Sequence, residues 1–342
     1  MIEALLAALR EQPAHAALTE RDLVRLPATG TAHGHVRLPN GVLARVAYAH
    51  EGDATAAARL ATQAAGFRHL APAGRTPRLH AVIEPRAGLP GGALIVDHVE
   101  GRAPALPAEL AAIADTLARL HAVPLPAPGS PIPRQDNPFL ATLESVEVGA
   151  ARFLDKAIPD PRARAGIVEE LQAMRALAAG VGQRPQPLAM ALADTHPGNF
   201  IVDRGGVAWF VDLEKVHVGS PAIDLAHATL PTSTLWDPNV GKILARREVE
   251  DFHATYLARV GAAQAAALEP WLLPMRRLTW LRTMLFMARW RVQTRSPRDP
   301  ADPAQWSDAG LDPAMKAHID ARIDDAFRQE TISGIRAEWI EA

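Results

Sequence analysis

Apolar positions in the first hundred residues fall in short runs separated by turn residues, and only residues 1–20 and 53–66 read as helix. Residues 1–20 show an amphipathic spacing that predicts one short helix. From Leu23 the character changes. Short apolar runs at 24–26 and 35–38 flank Gly30 and Gly34, Pro39-Asn40-Gly41 is a turn signal, and residues 42–47 (VLARVA) form an apolar strand interrupted by Arg45. Asn-Gly between two strand-like runs is the strongest short-range cue for a hairpin. An alanine-rich helix is expected at 53–66, then strands at 78–83 and 93–99 around a turn at 88–92. Strands, one helix, then strands predict a small antiparallel sheet carrying a helix.

Beyond Glu100-Gly101-Arg102 the period becomes helical. Pro104 and Pro107 introduce a helix over 108–122, where Leu110, Ile113, Leu117 and Leu120 share a face. A proline-rich loop at 124–138 precedes helices at 139–157 and 160–180. Two short strands, 200–202 and 208–211, interrupt this half, and residues from about 247 to 342 are helical with a proline-marked break at 296–303. No internal repeat is found. The expected fold class is α+β, with a small antiparallel-sheet unit over 1–99 and a larger, mostly helical unit over 100–342.

Composition narrows the function classes. The 342 residues are 48% hydrophobic and 22% charged, with a formal net charge of -2, so no global basic field draws nucleic acid or anionic lipid. The chain has no cysteine, which excludes disulfides, thiolate metal sites and cysteine nucleophiles. Residues 1–10 lack the pattern of a signal peptide, and the most apolar stretch, 278–290, is broken by Arg282 and Arg289. The expectation is a cytoplasmic protein without a membrane or nucleic-acid partner.

Candidate chemistry concentrates in residues 192–226, LADTHPGNFIVDRGGVAWFVDLEKVHVGSPAIDLA. Asp194 and Asn199 form D-x-x-x-x-N, a strand-turn-strand follows, the second strand ends at Asp212, and Asp224 opens a helix. Phosphoryl transfer needs one carboxylate to orient a hydroxyl and take its proton, and an amide oxygen with a second carboxylate to hold magnesium against phosphates. The hairpin between Asn199 and Asp212 has the length to bring the three together. Taken singly, Asp194 reads as a helix cap, Asn199 as a turn residue and Asp212 as a strand end; their joint arrangement favours the chemical reading. Asp224 reads as structural support for the loop amides or as a cap, and His196 as loop architecture.

These residues resemble the aminoglycoside phosphotransferase and choline kinase family. The likeness rests on the loop Asp194 to Asn199, the strand end Val211 to Glu214, the Gly219 to Ala226 run, the helix end Ala118 to His121, and the segment Leu94 to Gly101 at the family's hinge. It implies a two-lobed, protein-kinase-like fold and transfer of the γ-phosphate of ATP or GTP to a hydroxyl of a small metabolite or antibiotic. Asp194 becomes the catalytic base, and Asn199 and Asp212 become Mg2+ ligands. Arg45 takes the place of the phosphate-binding cation, the backbone of Asp97, His98 and Val99 meets the nucleotide base, and Gly30 to Gly34 forms the phosphate-covering loop. Glu214, Lys215, His217 and Trp236 are candidates for the acceptor pocket, where Trp236 also reads as core. Trp280, Met284, Met287 and Ala288 read as core packing.

Two departures from the family pattern stand out. Leu192 occupies the position of the histidine in H-x-D, and residues 54–66 contain no glutamate to pair with the strand-three cation, Glu51 lying too early. The alternative is therefore a catalytically silent nucleotide-binding or interaction protein on the same scaffold. A protein kinase fits less well, because no activation segment separates Asp212 from Asp224.

Overall fold

The computed structural model describes residues 1–27, 33–48, 55–297, 305–306, 308 and 311–340. Helix α1 (Ile2–Arg10) opens the chain. It is shorter than its apolar spacing predicts: Pro13 and the turn around it break the helix into 3-10 turns, since proline has no N–H to continue the ladder. Strands β1 (Val24–Arg25), β2 (His33–Leu38) and β3 (Val42–Ala47) follow. Asn40 and Gly41 both have positive φ, 62° and 71°, the backbone a tight two-residue hairpin requires, and Leu38 pairs with Val42 beside them.

Helix α2 (Ala56–Leu70) begins at a Thr55 cap that accepts from the Ala58 N–H and runs four residues past the predicted end. Gly66 does not stop it. A Cβ there would stand 2.7 Å from a Val216 methyl, so Gly66 serves a close approach between helix and the segment that carries Val216. Strands β4 (Leu79–Ile83) and β5 (Ala93–Asp97) complete an antiparallel sheet of order β1-β2-β3-β5-β4.

The two sheet faces belong to different cores. Val36, Ala44, Ala93 and Ile95 pack with Leu5 and Leu9 of α1. Leu94 and Val96 face the other way and join Phe67 and Leu70 of α2 in a core continuous with the helical part. The alternation along β5 thus ties the sheet to the rest of the molecule.

That larger part contains α3 (Leu110–His121), α4 (Pro138–Ala157) and α5 (Pro161–Val181), then four three-residue strands, β6 (Ala189–Ala191), β7 (Phe200–Val202), β8 (Ala208–Phe210) and β9 (His217–Gly219). Strand β7 pairs with β8, and β6 with β9. Helices α6 (Pro221–Thr229), α7 (Pro231–Thr234), α8 (Arg246–Val260), α9 (Ala262–Arg295), α10 (Pro313–Ala326) and α11 (Gln329–Ile340) finish the chain. Most of the predicted break at 296–303 falls on residues outside the described ones. Trp280, Met284, Met287 and Ala288 are buried on α9, as their spacing predicts. No helix among the described residues is long and apolar enough to cross a membrane.

The connection from sheet to helical part is pinned at one glycine. Arg102 exchanges two backbone hydrogen bonds with Val202 of β7, and a Cβ on Gly101 would lie 2.3 Å from the Val202 carbonyl oxygen. Backbone cannot yield as a side-chain tip does. Gly101→Ala is expected to cost about 1–3 kcal/mol, the usual penalty of overpacking, read from urea unfolding; a variant as stable as the parent would show that the connector is free to move.

Acid sensitivity has an identifiable source on α8. Burial, reinforced by the Arg276 guanidinium and opposed by Glu250, pushes His253 down to about 4. The folded chain therefore binds fewer protons than the unfolded chain between pH 6.5 and 4, and stability falls as pH drops through that window. His253→Gln is expected to flatten this part of the melting-temperature profile; an unchanged slope would place the acid sensitivity elsewhere.

Candidate active site

The loop that carries Asp194 is held from behind. Strand β6 delivers the chain to Leu192, whose side chain is fully buried and so supports the loop by apolar packing where the family has histidine. The Leu192 and Ala193 N–H groups donate to the two carboxylate oxygens of Asp224 at 2.8 and 2.7 Å. Asp224 lies fully buried in the first turn of α6, which Ser220 caps. His121 Nε2 is 2.9 Å from the same carboxylate, and its Nδ1 is 2.8 Å from the Tyr256 hydroxyl. Thr195 Oγ1 donates to the Asp224 carbonyl, and Arg282 Nη1 donates to the Ala193 carbonyl at 3.0 Å. This web holds Ala193 at φ 59°, a left-handed conformation that costs an alanine energy outside such a clamp.

Beyond that turn the Asp194 carboxylate meets cationic and imidazole groups. Lys215 Nζ stands 2.5 Å from Oδ2, and His227 Nε2 stands 4.0 Å from Oδ1. Burial by itself would raise the Asp194 pKa, but the Lys215 ammonium, with His196 and His227, outweighs it and holds the carboxyl well below the usual range. His227 is pushed down to about 3 by burial, against the pull of Asp194. Burial likewise lowers His196, against the pull of Asp194. The result is an ionised carboxylate flanked by one ammonium and two neutral imidazoles.

Asn199 and Asp212 are joined to Asp194 through backbone. The Asn199 amide nitrogen donates to the Asp194 carbonyl at 2.8 Å, which turns its Oδ1 the other way, and the Asn199 carbonyl accepts from the Val211 N–H at 3.1 Å. The β7–β8 hairpin therefore returns the chain so that Asp212 follows directly on Asn199's bonding partner. An amide oxygen and a carboxylate are donors that suit Mg2+, a hard cation that takes few protein oxygens and keeps several waters.

Arg45 is buried and reaches this cluster from β3. Its Nη2 lies 3.0 Å from Asp212 Oδ1, its Nη1 donates to the Val211 carbonyl, and its guanidinium lies 5.8 Å from the Phe67 ring centre. Burial pushes Asp212 up, and Arg45 and His33 more than offset that. Glu214 responds in the opposite sense: burial and the neighbouring Asp212 carboxylate push it up to about 7. Helix α2, which has no glutamate, presents the buried Gln63 instead. His33, Asp212 and Glu214 place one ligand atom each within 4.8 Å of one another.

The other sequence candidates are spread around this centre. Gly30 and Glu51 lie outside the described residues. Gly34 pairs with Val46 in the sheet, and a Cβ there would be 3.1 Å from the Tyr48 hydroxyl. At the hinge the Asp97 N–H donates to the Arg78 carbonyl and the His98 N–H to the Gly41 carbonyl, so these two amides are engaged within the protein. The Asp97 carboxylate takes the Arg78 N–H and His80 Nε2. His217 bonds through Nδ1 to the Lys215 carbonyl. Trp236 packs edge-on against Phe286, ring centres 5.8 Å apart, and Lys215 Nζ lies 5.5 Å from the same Phe286 ring.

Sequence reasoning did not assign Lys215 to Asp194, Arg282 to the loop, or His227, His33 and Tyr256 to any role. Arg282 did leave a signal: an arginine inside the most apolar stretch of the chain must find a polar partner. Lys215 stood out only as acceptor lining, because its distance from Asp194 is bridged only by the fold.

The sequence profile of the phosphotransferase enzyme family matches residues 35–274. No curated protein sequence matches the chain significantly. Among solved structures, a choline/ethanolamine kinase family protein from Mesorhizobium loti superposes with a TM-score of 0.61 at 17% identity, covering 98% of this chain and 99% of that one. An ethanolamine kinase from Plasmodium vivax gives 0.61 at 13% identity, covering 98% and 89%. Aminoglycoside 2′-phosphotransferase-IIIa, in complex with GDP, gives 0.60 at 12% identity, covering 94% and 98%. At these identities the likeness is one of fold.

Proposed function

The chain belongs to the phosphotransferase enzyme family, and on that footing we propose that it is an active small-molecule kinase, moving the γ-phosphate of ATP or GTP to a hydroxyl of a small metabolite or antibiotic. The observation that carries this reading is the linkage of Asp194, Asn199 and Asp212 through Asn199. Residues 1–99 and 100–342 act as two lobes with the nucleotide between them, in keeping with the GDP bound to one structural neighbour.

In this mechanism Asp194 accepts the proton of the acceptor hydroxyl and orients its oxygen for attack. Lys215 keeps that carboxylate ionised and fixed. Asn199 Oδ1 and Asp212 would hold magnesium, which would offset the negative charge of the phosphates. Arg45 leaves Asp212 to meet a phosphate oxygen as nucleotide enters, a role its planar, always-charged guanidinium suits. Glu214, His217 and Trp236 line the acceptor side. Positioning and charge offset supply most of the rate.

A second reading keeps one specific support. Arg45 is engaged by Asp212, and α2 offers it no glutamate, as in a scaffold that binds nucleotide without turnover. Magnesium-dependent nucleotide consumption across amino alcohols, sugars, vitamins and aminoglycosides separates the two. Turnover on any alcohol, or slow magnesium-dependent hydrolysis without one, is expected for the kinase. Binding indifferent to magnesium, with no turnover, would leave the silent scaffold.

A further inference from the structure

A pocket between sheet and helical part is lined by His33, Tyr48, Arg59, Gln63 and Glu214, among others. Two of its lining residues, His33 and Glu214, cluster with Asp212. We propose that these three residues form a mixed nitrogen-and-oxygen site for a divalent first-row transition cation. The site is separate in ligand set from the Asn199–Asp212 magnesium pair and shares only Asp212 with it.

Three features converge on this assignment. The first is geometry: the three ligand atoms lie within 4.8 Å of one another. Ligands around a bound zinc at 2.0–2.2 Å stand roughly 3–3.5 Å apart, so a contraction of at most about 1.3–1.8 Å completes the site. The second is donor chemistry. His33 is 5% exposed and supplies an imidazole, a ligand of zinc, iron, nickel and copper that magnesium does not favour, while the two carboxylates balance a dication. The Arg45 contact does not exhaust Asp212. Arg45 and the Glu214 N–H both bond to Oδ1, and a carboxylate offers about four acceptor positions.

The third feature is an orphan. Gln63 is 4% exposed, lines the same pocket, and its Oε1 has no hydrogen-bond partner among the described residues. A buried amide oxygen without a donor is costly. Water on a cation held by His33 and Glu214 would give it one, in the manner of outer-sphere partners elsewhere. Since His33 comes from β2 and the carboxylates from the segment after β8, the cation also ties the sheet to the helical part.

The cluster is already assembled in the free chain, so its test uses no nucleotide. The full chain, stripped with chelator, is titrated with Mn2+ and followed by electron paramagnetic resonance. One Mn2+ per chain is expected, with imidazole nitrogen modulation in the pulsed spectrum, and Zn2+ is expected to displace it at lower concentration than Mg2+ does. His33→Ala should abolish the modulation and weaken binding by no less than roughly 10–100-fold, the usual loss for even an outer-sphere partner. No Mn2+ bound without nucleotide overturns the proposal. So does bound Mn2+ with no nitrogen modulation, or His33→Ala binding unchanged. Should His33→Ala fail to fold, the nitrogen signal of the parent protein decides alone.

Discussion

Asp194→Asn is expected to lower turnover by roughly 10²–10⁴-fold, the usual worth of a positioned general base. Asparagine is close to isosteric and leaves the loop clamp untouched, because Asp224 holds the backbone of Leu192 and Ala193 and not the Asp194 side chain. What is lost is the anion. Lys215 then faces an amide, but it is partly exposed, so water takes up its charge and the fold survives. Circular dichroism and nucleotide binding should therefore match the parent while kcat collapses. Turnover near the parent's would remove Asp194 from the role of base, and a simultaneous loss of fold would show that the Lys215 pair is structural.

Asp224→Ala is expected to cost about 3–5 kcal/mol of stability, as does removing one partner of a buried charged network. The carboxylate is fully buried and serves the Leu192 and Ala193 N–H groups and His121 at once. Truncation leaves buried donors unsatisfied at about 1–3 kcal/mol each. It also frees Ala193 from its left-handed conformation, so Asp194 loses its aim and activity falls in whatever fraction stays folded. Asp224→Asn, which keeps one acceptor, should fall between the two. Denaturant unfolding reads the cost, and a loss below about 1 kcal/mol for the alanine variant would mean that other contacts hold the loop.

Much of the architecture was legible because it is local. The β2–β3 hairpin follows from Asn40-Gly41, whose positive φ values only such residues adopt readily. Helix α3 follows from apolar spacing, and α4 and α5 open at Asn137-Pro138 and Asp160-Pro161, which are local start signals. Strands β7 and β8 were visible as β-rich runs around Gly205-Gly206. Strands β6 and β9 were not. Three residues each, Ala189–Ala191 and His217–Gly219, carry no period, and they exist as strands because each finds the other.

The chain by itself determined the order of elements, the D-x-x-x-x-N loop and the return of Asp212 by a short hairpin, all relations between residues within about twenty positions. Only the tertiary structure decided the partners of the charged groups. Arg45 goes to Asp212, Lys215 to Asp194, Arg282 to the Ala193 carbonyl, and His33 to a pair of carboxylates nearly two hundred residues away. Periodicity reports which face of an element is buried. A buried charge takes whatever opposite group the packed neighbours bring within reach, and that is set by how distant segments dock, which no spacing in the sequence records.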